Sequence, residues 1–231
     1  MKQPRMPSFI RERLPDHIRG CLIGGAAGDA LGYAVEFMRE PEIFARYGIG
    51  GIREYERDPV SGKALISDDT QMTLFTAAGL LLYIRRRGLD EAQSASPSGY
   101  MRFTYQDWLR TQELSFEADK ARREAGGRCD SWLCDVPELY HCRAPGSTCL
   151  SALRAQRDSA AMGSIEHPIN HSKGCGGVMR VAPMGLIHYT DNNMEGRDRA
   201  GAEAAAITHG HALGYMPAAV LTHILYRIVF R

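Results

Sequence analysis

Residues 67–69 read Ser-Asp-Asp, a hydroxyl followed by two adjacent carboxylates, and the chain then turns mostly apolar through Ile84. Two carboxylates so close repel, and burying them unpaired costs several kcal/mol or displaces their pKa values. On a solvated edge such a pair would merely cap a helix and complement its dipole. The apolar run that follows places this helix start near the core, so something must offset the charge. A hard divalent cation would do so, because Mg²⁺ prefers carboxylate, hydroxyl and water oxygens. Three oxygen side chains on one turn can converge on an ion but cannot complete an octahedron, so waters or distant residues must contribute.

A second acidic pair, Asp29 and Glu36, lies seven residues apart in a helical pattern, two turns along one face if that helix is continuous. Asp29 could equally cap a segment after the glycines. Glu36 sits between Val35 and Phe37, where a partly desolvated carboxylate could act as a general base or a substrate hook. A third feature is the stretch NHSKGCGGVMRVAPMG at 170–185. Its glycines 174, 176 and 177 allow backbone N–H groups to face an anion, with Lys173 and Arg180 as candidate charges. Together with a carboxylate–metal cluster, this loop suggests a phosphate-bearing substrate.

The elements that must position these groups read as helices. Residues 16–37 form a small-residue helix whose five glycines lower its propensity and let another backbone approach. The helix from 67 can be capped by Ser67 or Asp68 and ended by Arg85, Arg86, Arg87 and Gly88. Residues 39–66 and 89–99 read as loops. Helical patterns return near 100–123, 147–158, 176–188, 197–208 and 217–230, with Pro217 suited to a first turn. Strand signals are scarce and no repeat recurs, so the expectation is an all-α, multi-helix domain over 1–231.

Charge narrows the function classes. Lys and Arg number 28 against 27 Asp and Glu, so no global field favours nucleic acid or an anionic membrane. No run reaches about 18 continuous apolar residues, and the N-terminal MKQPRMPSFIRERLPD lacks the apolar core of a secretory signal. A cytoplasmic protein with thiols rather than disulfides is expected. Cys129, Cys134, Cys142 and Cys149 are separated by four, seven and six residues and lack the paired spacing of structural zinc sites. Trp108 and Trp132 read as core or groove aromatics, Met72, Met179 and Met184 as core, and His211 and His223 as structural.

The stretches GCLIGGAAGDALGYAVEF, SDDTQMT, RAPGSTCLSAL, GCGGVMRVAPMGL and ITHGHALGY, in this order over residues 20–215, resemble the ADP-ribosylglycohydrolase family. The resemblance implies an all-α fold with a pair of divalent cations, usually Mg²⁺, in a central cleft. It implies Ser67, Asp68 and Asp69 as metal ligands, Glu36 as the acidic residue near the scissile ribose carbon, and Glu36 and Asp69 as the catalytic residues. It also implies that His171, Ser172, Lys173, Gly174, Cys175 and Gly176 hold the diphosphate and distal ribose, with His209 nearby; Cys175 stands where many members carry Asn. The family's late Gly-Asp-x-Asp-Thr/Ser segment has no counterpart here. The chain is therefore expected to be an N-terminal portion of the domain lacking its last helices, and to hold at most one ion weakly.

The function this implies is metal-dependent hydrolysis of the glycosidic bond between ADP-ribose and a modified protein side chain or small molecule. Two alternatives stand beside it: a non-catalytic ADP-ribose-binding or regulatory protein, and a structural helical protein that binds neither ligand nor metal.

Overall fold

The computed structural model describes residues 7–87, 96–157, 162–188 and 194–231. Among them are eight α-helices and no strand: α1 (Ser8–Gly32), α2 (Glu40–Tyr47), α3 (Asp68–Arg87), α4 (Pro97–Glu113), α5 (Phe116–Glu124), α6 (Ser147–Arg157), α7 (Met194–Ala206) and α8 (Ala212–Phe230). The all-α expectation holds. Gly88, Asp191 and the loop residues 89–95 lie outside the described residues.

Several boundaries differ from the sequence reading for local reasons. The supposed loop 39–66 contains α2, whose start is fixed when Glu42 Oε2 accepts from the Arg39 N–H at 2.8 Å. The pattern at 100–123 splits at Leu114, and Ser115 caps α5 by accepting from the Ala118 N–H. The helix expected over 176–188 is replaced by two 3₁₀ turns, Cys175–Gly177 and Ala182–Leu186, because Gly176, Gly177, Pro183 and Gly185 disfavour α-helix. Pro217 lies inside α8, which starts earlier because His211 Nδ1 caps it by accepting from the Leu213 N–H at 3.0 Å.

The core is centred on α3 and α4. Met72 and Phe75 meet Met101, Tyr105, Trp108 and Leu109, all fully buried. Close approach depends on Gly79, where a β-carbon would lie 3.0 Å from the Met101 Cα. Gln71, also fully buried, joins three elements: its Oε1 accepts from Trp108 Nε1 (3.1 Å) and Gln112 Nε2 (3.0 Å), and its Nε2 donates to the His141 carbonyl (2.9 Å). Trp108 is thus core, whereas Trp132 is exposed.

Helix α7 packs on α8, closely enough at Gly201 that a β-carbon there would collide with Thr222 Oγ1. By length and composition α8 is apolar enough to cross a membrane, although Thr222, His223 and Arg227 interrupt its apolar run. Its buried face carries Gly214, Ala218, Thr222, Tyr226, Val229 and Phe230. The opposite face exposes Leu213, Met216, Val220, Ile224 and Ile228.

The cysteines depart from the expectation of free thiols at one place. Cys129 and Cys134 pair as a disulfide, while Cys21, Cys142, Cys149 and Cys175 are free. The pairing follows from Asp107, whose buried Oδ2 accepts from the Asp130 N–H (3.0 Å) and Ser131 N–H (2.7 Å) and folds the loop onto α4.

Candidate functional site

The backbone donors at the start of α3 find partners in three parts of the chain. The Asp68 N–H donates to the Arg143 carbonyl at 3.0 Å, and the Asp69 N–H to Ser67 Oγ at 3.2 Å. The Thr70 N–H donates to Asp29 Oδ2 at 3.2 Å. Asp29, on α1, also accepts from the Ser67 N–H (2.9 Å), the Ser67 hydroxyl (2.7 Å) and the Thr70 hydroxyl (2.5 Å). One carboxylate from a distant helix therefore completes the cap that Ser67 begins, and it sits at the positive end of the α3 dipole.

Asp68 is buried, and its Oδ2 accepts from the Gly146 N–H at 3.1 Å. Burial pushes its carboxyl up to about 7, with Asp69 and Glu36 adding to the rise and the Gly146 bond opposing it. Asp69 is more open to solvent, and is raised to about 6 by desolvation and by Asp29 and Glu36. Glu36 follows the 3₁₀ turn Tyr33–Val35 rather than continuing α1, and it is exposed. Partial desolvation and Asp29 raise its pKa. Asp69 and Glu36 thus raise Asp68, Asp29 and Glu36 raise Asp69, and Asp29 raises Glu36, each after the larger effect of desolvation.

A cleft of about 610 Å³ opens between α1, the start of α3 and the 175–182 segment. Its lining includes Asp29, Glu36, Ser67, Asp69 and Thr70, together with Cys175, Met179 and Ala182. The α1 glycines 24, 25, 28 and 32 face this cleft, and a β-carbon on any of them would meet nothing within 4 Å. Their role is thus an open wall rather than the close backbone contact read from their spacing. Asp68 is not among the lining residues, since its carboxylate turns to Gly146.

Of the loop residues named from the sequence, Cys175 reaches the cleft; His171, Ser172, Lys173, Gly174, Gly176 and His209 do not line it. His171, Lys173, Gly174 and Cys175 are exposed. Ser172 Oγ lies 3.4 Å from Thr148 Oγ1, at the start of α6, two residues from the Gly146 that holds Asp68. His209 is buried beneath the loop, and a β-carbon on Gly176 would come within 2.9 Å of its ring. Gly176 is thereby required for inward packing. Arg180, read as a charge for the anion loop, is instead fully buried in the core, with its guanidinium 4.4 Å from the Tyr105 ring centre.

Two contributors carry no site signature in the sequence. Asp29 shares a helical pattern with Glu36, and the Gly-Asp at 28–29 gives no sign that its carboxylate caps Ser67, 38 residues away. Gly146 acts through its N–H, and a backbone donor leaves no signature in residue type.

The family model described as ADP-ribosylglycohydrolase matches residues 10–231. The chain belongs to the ADP-ribosylglycohydrolase family. No curated relative and no solved structure matches it. Family membership makes a hydrolase of the ADP-ribosylglycohydrolase type, a class that is metal-dependent in general and acts on ADP-ribosylated substrates.

The donor set at the cleft suits a hard cation. Ser67 Oγ donates to Asp29 and accepts from the Asp69 N–H, which leaves a lone pair for a ligand. Asp68 keeps one carboxylate oxygen clear of the Gly146 bond. The carboxylates are nevertheless spread out. Among the described residues, the one set of three acidic, His or Cys ligand atoms mutually within 4.8 Å is Asp107, Cys129 and Cys134, away from the cleft and already committed to the disulfide and the 130–131 backbone.

Proposed function

We propose that the chain is a Mg²⁺-dependent hydrolase that cleaves the glycosidic bond between ADP-ribose and a modified protein side chain or small molecule. The observation that carries this reading is a cleft faced by Asp29, Glu36, Ser67 and Asp69, with buried Asp68 behind them and no Lys, Arg or His among the lining residues. Ser67, Asp68 and Asp69 would hold the cation. When bound, it supplies charge against these carboxylates and Lewis acidity toward ribose oxygens.

The chain's own residues then divide the work. Asp29 fixes Ser67 and the first turn of α3, so the ligand groups are held before substrate arrives. Glu36, on the open side, would accept a proton from the water that adds to the ribose carbon and pass it to the departing aglycone. Its raised pKa makes it a stronger base than an ordinary carboxylate. The 171–176 loop, joined to the cleft through Cys175, would bind the diphosphate through backbone N–H groups other than those of Ser172 and Gly174, which donate to Asn170 Oδ1 and Ser172 Oγ.

A turnover assay with ADP-ribosyl-arginine and millimolar Mg²⁺ tests the reading. Release of ADP-ribose that is lost on Asp68→Asn and on chelation is the expected result. ADP-ribose binding without turnover would favour a second reading, a non-catalytic ADP-ribose-binding protein, for which the wide spread of the cleft carboxylates speaks.

A further inference from the structure

Arg180 is a fully buried cation that forms no ion pair with a described residue. Its Nη1 donates to Met72 Sδ and Cys149 Sγ, each at 3.5 Å. Its Nη2 donates to the Ala204 carbonyl at 3.2 Å and to Thr208 Oγ1 at 2.7 Å. Nε has no partner. Thr208 is itself fully buried, and its Oγ1 lies 2.8 Å from His209 Nδ1.

Counting hydrogens settles the direction of this chain. A guanidinium only donates, so Thr208 Oγ1 accepts from Arg180 and its own hydrogen must go elsewhere. The candidate acceptors are His209 Nδ1 and Cys149 Sγ. Cys149 already takes a hydrogen from Arg180, and sulfur is the weaker acceptor. An N–H on Nδ1 would also point its positive end at the oxygen that holds a buried guanidinium, which a low-dielectric interior penalises. Both arguments put the lone pair on Nδ1 and the hydrogen on Nε2.

Nε2 faces the glycine loop. It stands 3.4 Å and 3.2 Å from where β-carbons on Gly174 and Gly176 would sit. Burial and Arg180 together push the ring down to about 4, so it is neutral at physiological pH. A neutral Nδ1–H ring would turn a lone pair toward phosphate or ribose oxygens and repel them, whereas the Nε2–H ring donates.

We infer that Arg180 is a positioning residue that, through Thr208, holds His209 as the Nε2–H tautomer, so that the ring donates a hydrogen bond to an oxygen of the ADP-ribosyl group on the 174–176 loop. The ligand in this statement rests on the proposed function; the tautomer does not.

The test is nitrogen-15 NMR of histidine-labelled full chain at neutral pH, with the His209 signals assigned by their loss in His209→Gln. Wild type and Thr208→Ser should show a pyridine-type Nδ1 and a pyrrole-type Nε2. Thr208→Val and Arg180→Met should show mixed tautomers, with ADP-ribose affinity lowered about tenfold, the equivalent of roughly one hydrogen bond. If Arg180→Met does not fold, the valine and serine pair decides the matter. An Nδ1–H or charged ring in wild type, or a tautomer unmoved in Thr208→Val, overturns the inference. Wild type that shows the Nε2–H ring but binds no ADP-ribose overturns the ligand's identity and the proposed function, while the role of Arg180 in setting the tautomer stands.

Discussion

Asp29 and Ser67, on separate elements and 38 residues apart, are joined by two hydrogen bonds, from the Ser67 N–H at 2.9 Å and the Ser67 hydroxyl at 2.7 Å. The acidic turn is therefore built by α1 as much as by α3. Asp29→Ala strips the cap from Ser67 and Thr70 and should destabilise the protein by about 2 kcal/mol, or roughly 5 °C in Tm. Asp29→Asn keeps acceptor capacity and should lose less. Calorimetric scans of both variants check the order. Equal losses would show that charge, not hydrogen bonding, is what Asp29 contributes.

The raised carboxyls of Asp68 (about 7) and Asp69 (about 6) make a pH prediction. A folded pKa above the unfolded one means that the native state binds the extra proton. Metal-free protein should thus gain stability as pH falls from about 7 toward 4, and lose it as pH rises through the same range. Cation binding needs the deprotonated forms, so thermal stabilisation by Mg²⁺ should be largest near pH 8 and fade below about 6. Asp68→Asn should flatten both trends. A Mg²⁺ effect independent of pH would place the ion elsewhere.

Within the glycine loop, two positions should separate folding from binding. A β-carbon at 176 would press on His209 at 2.9 Å and Cys149 Sγ at 3.0 Å, so Gly176→Val should cost about 1–3 kcal/mol of stability by overpacking. At 174 the nearest atoms would be 3.4 Å away and the residue is exposed, so Gly174→Ala should fold with little change. Isothermal titration with ADP-ribose then reads the site: weaker binding by Gly174→Ala locates the diphosphate on this loop, and unchanged binding moves it off.

Gln71 is the buried tie between the α3 core and the segment that leads to the Asp68 partners. Gln71→Leu would leave Trp108 Nε1 and the His141 carbonyl unpaired, at about 2–3 kcal/mol by urea denaturation. Mg²⁺ stabilisation should weaken in parallel. A neutral substitution would mean that water replaces the amide.

The exposed apolar stripe of α8 should show in solution. Leu213, Met216, Val220, Ile224 and Ile228 recur at helical spacing on one face. Sedimentation velocity should reveal association that rises with concentration and is suppressed by Val220→Glu. A monomer at all concentrations would show that the stripe is tolerated singly.

Residue order by itself determined the helical class, the helix that starts at Ser67–Asp68, and the segments that mark the family. Those are local quantities: apolar period, capping side chains and motif spacing act within a few residues. What only the tertiary structure decided depends on which elements meet. Arg180 reads as a candidate charge for the glycine loop, yet its guanidinium lies in the core because Tyr105 on α4 and the Ala204–Thr208 stretch at the end of α7 gather around it from two other places in the chain. Asp68 and Asp69 are neighbours in sequence, yet the fold turns one to the Gly146 N–H and leaves the other at the cleft. Successive residues on a helix point about 100° apart, so adjacency gave the pair its repulsion, and packing chose which carboxylate would be buried.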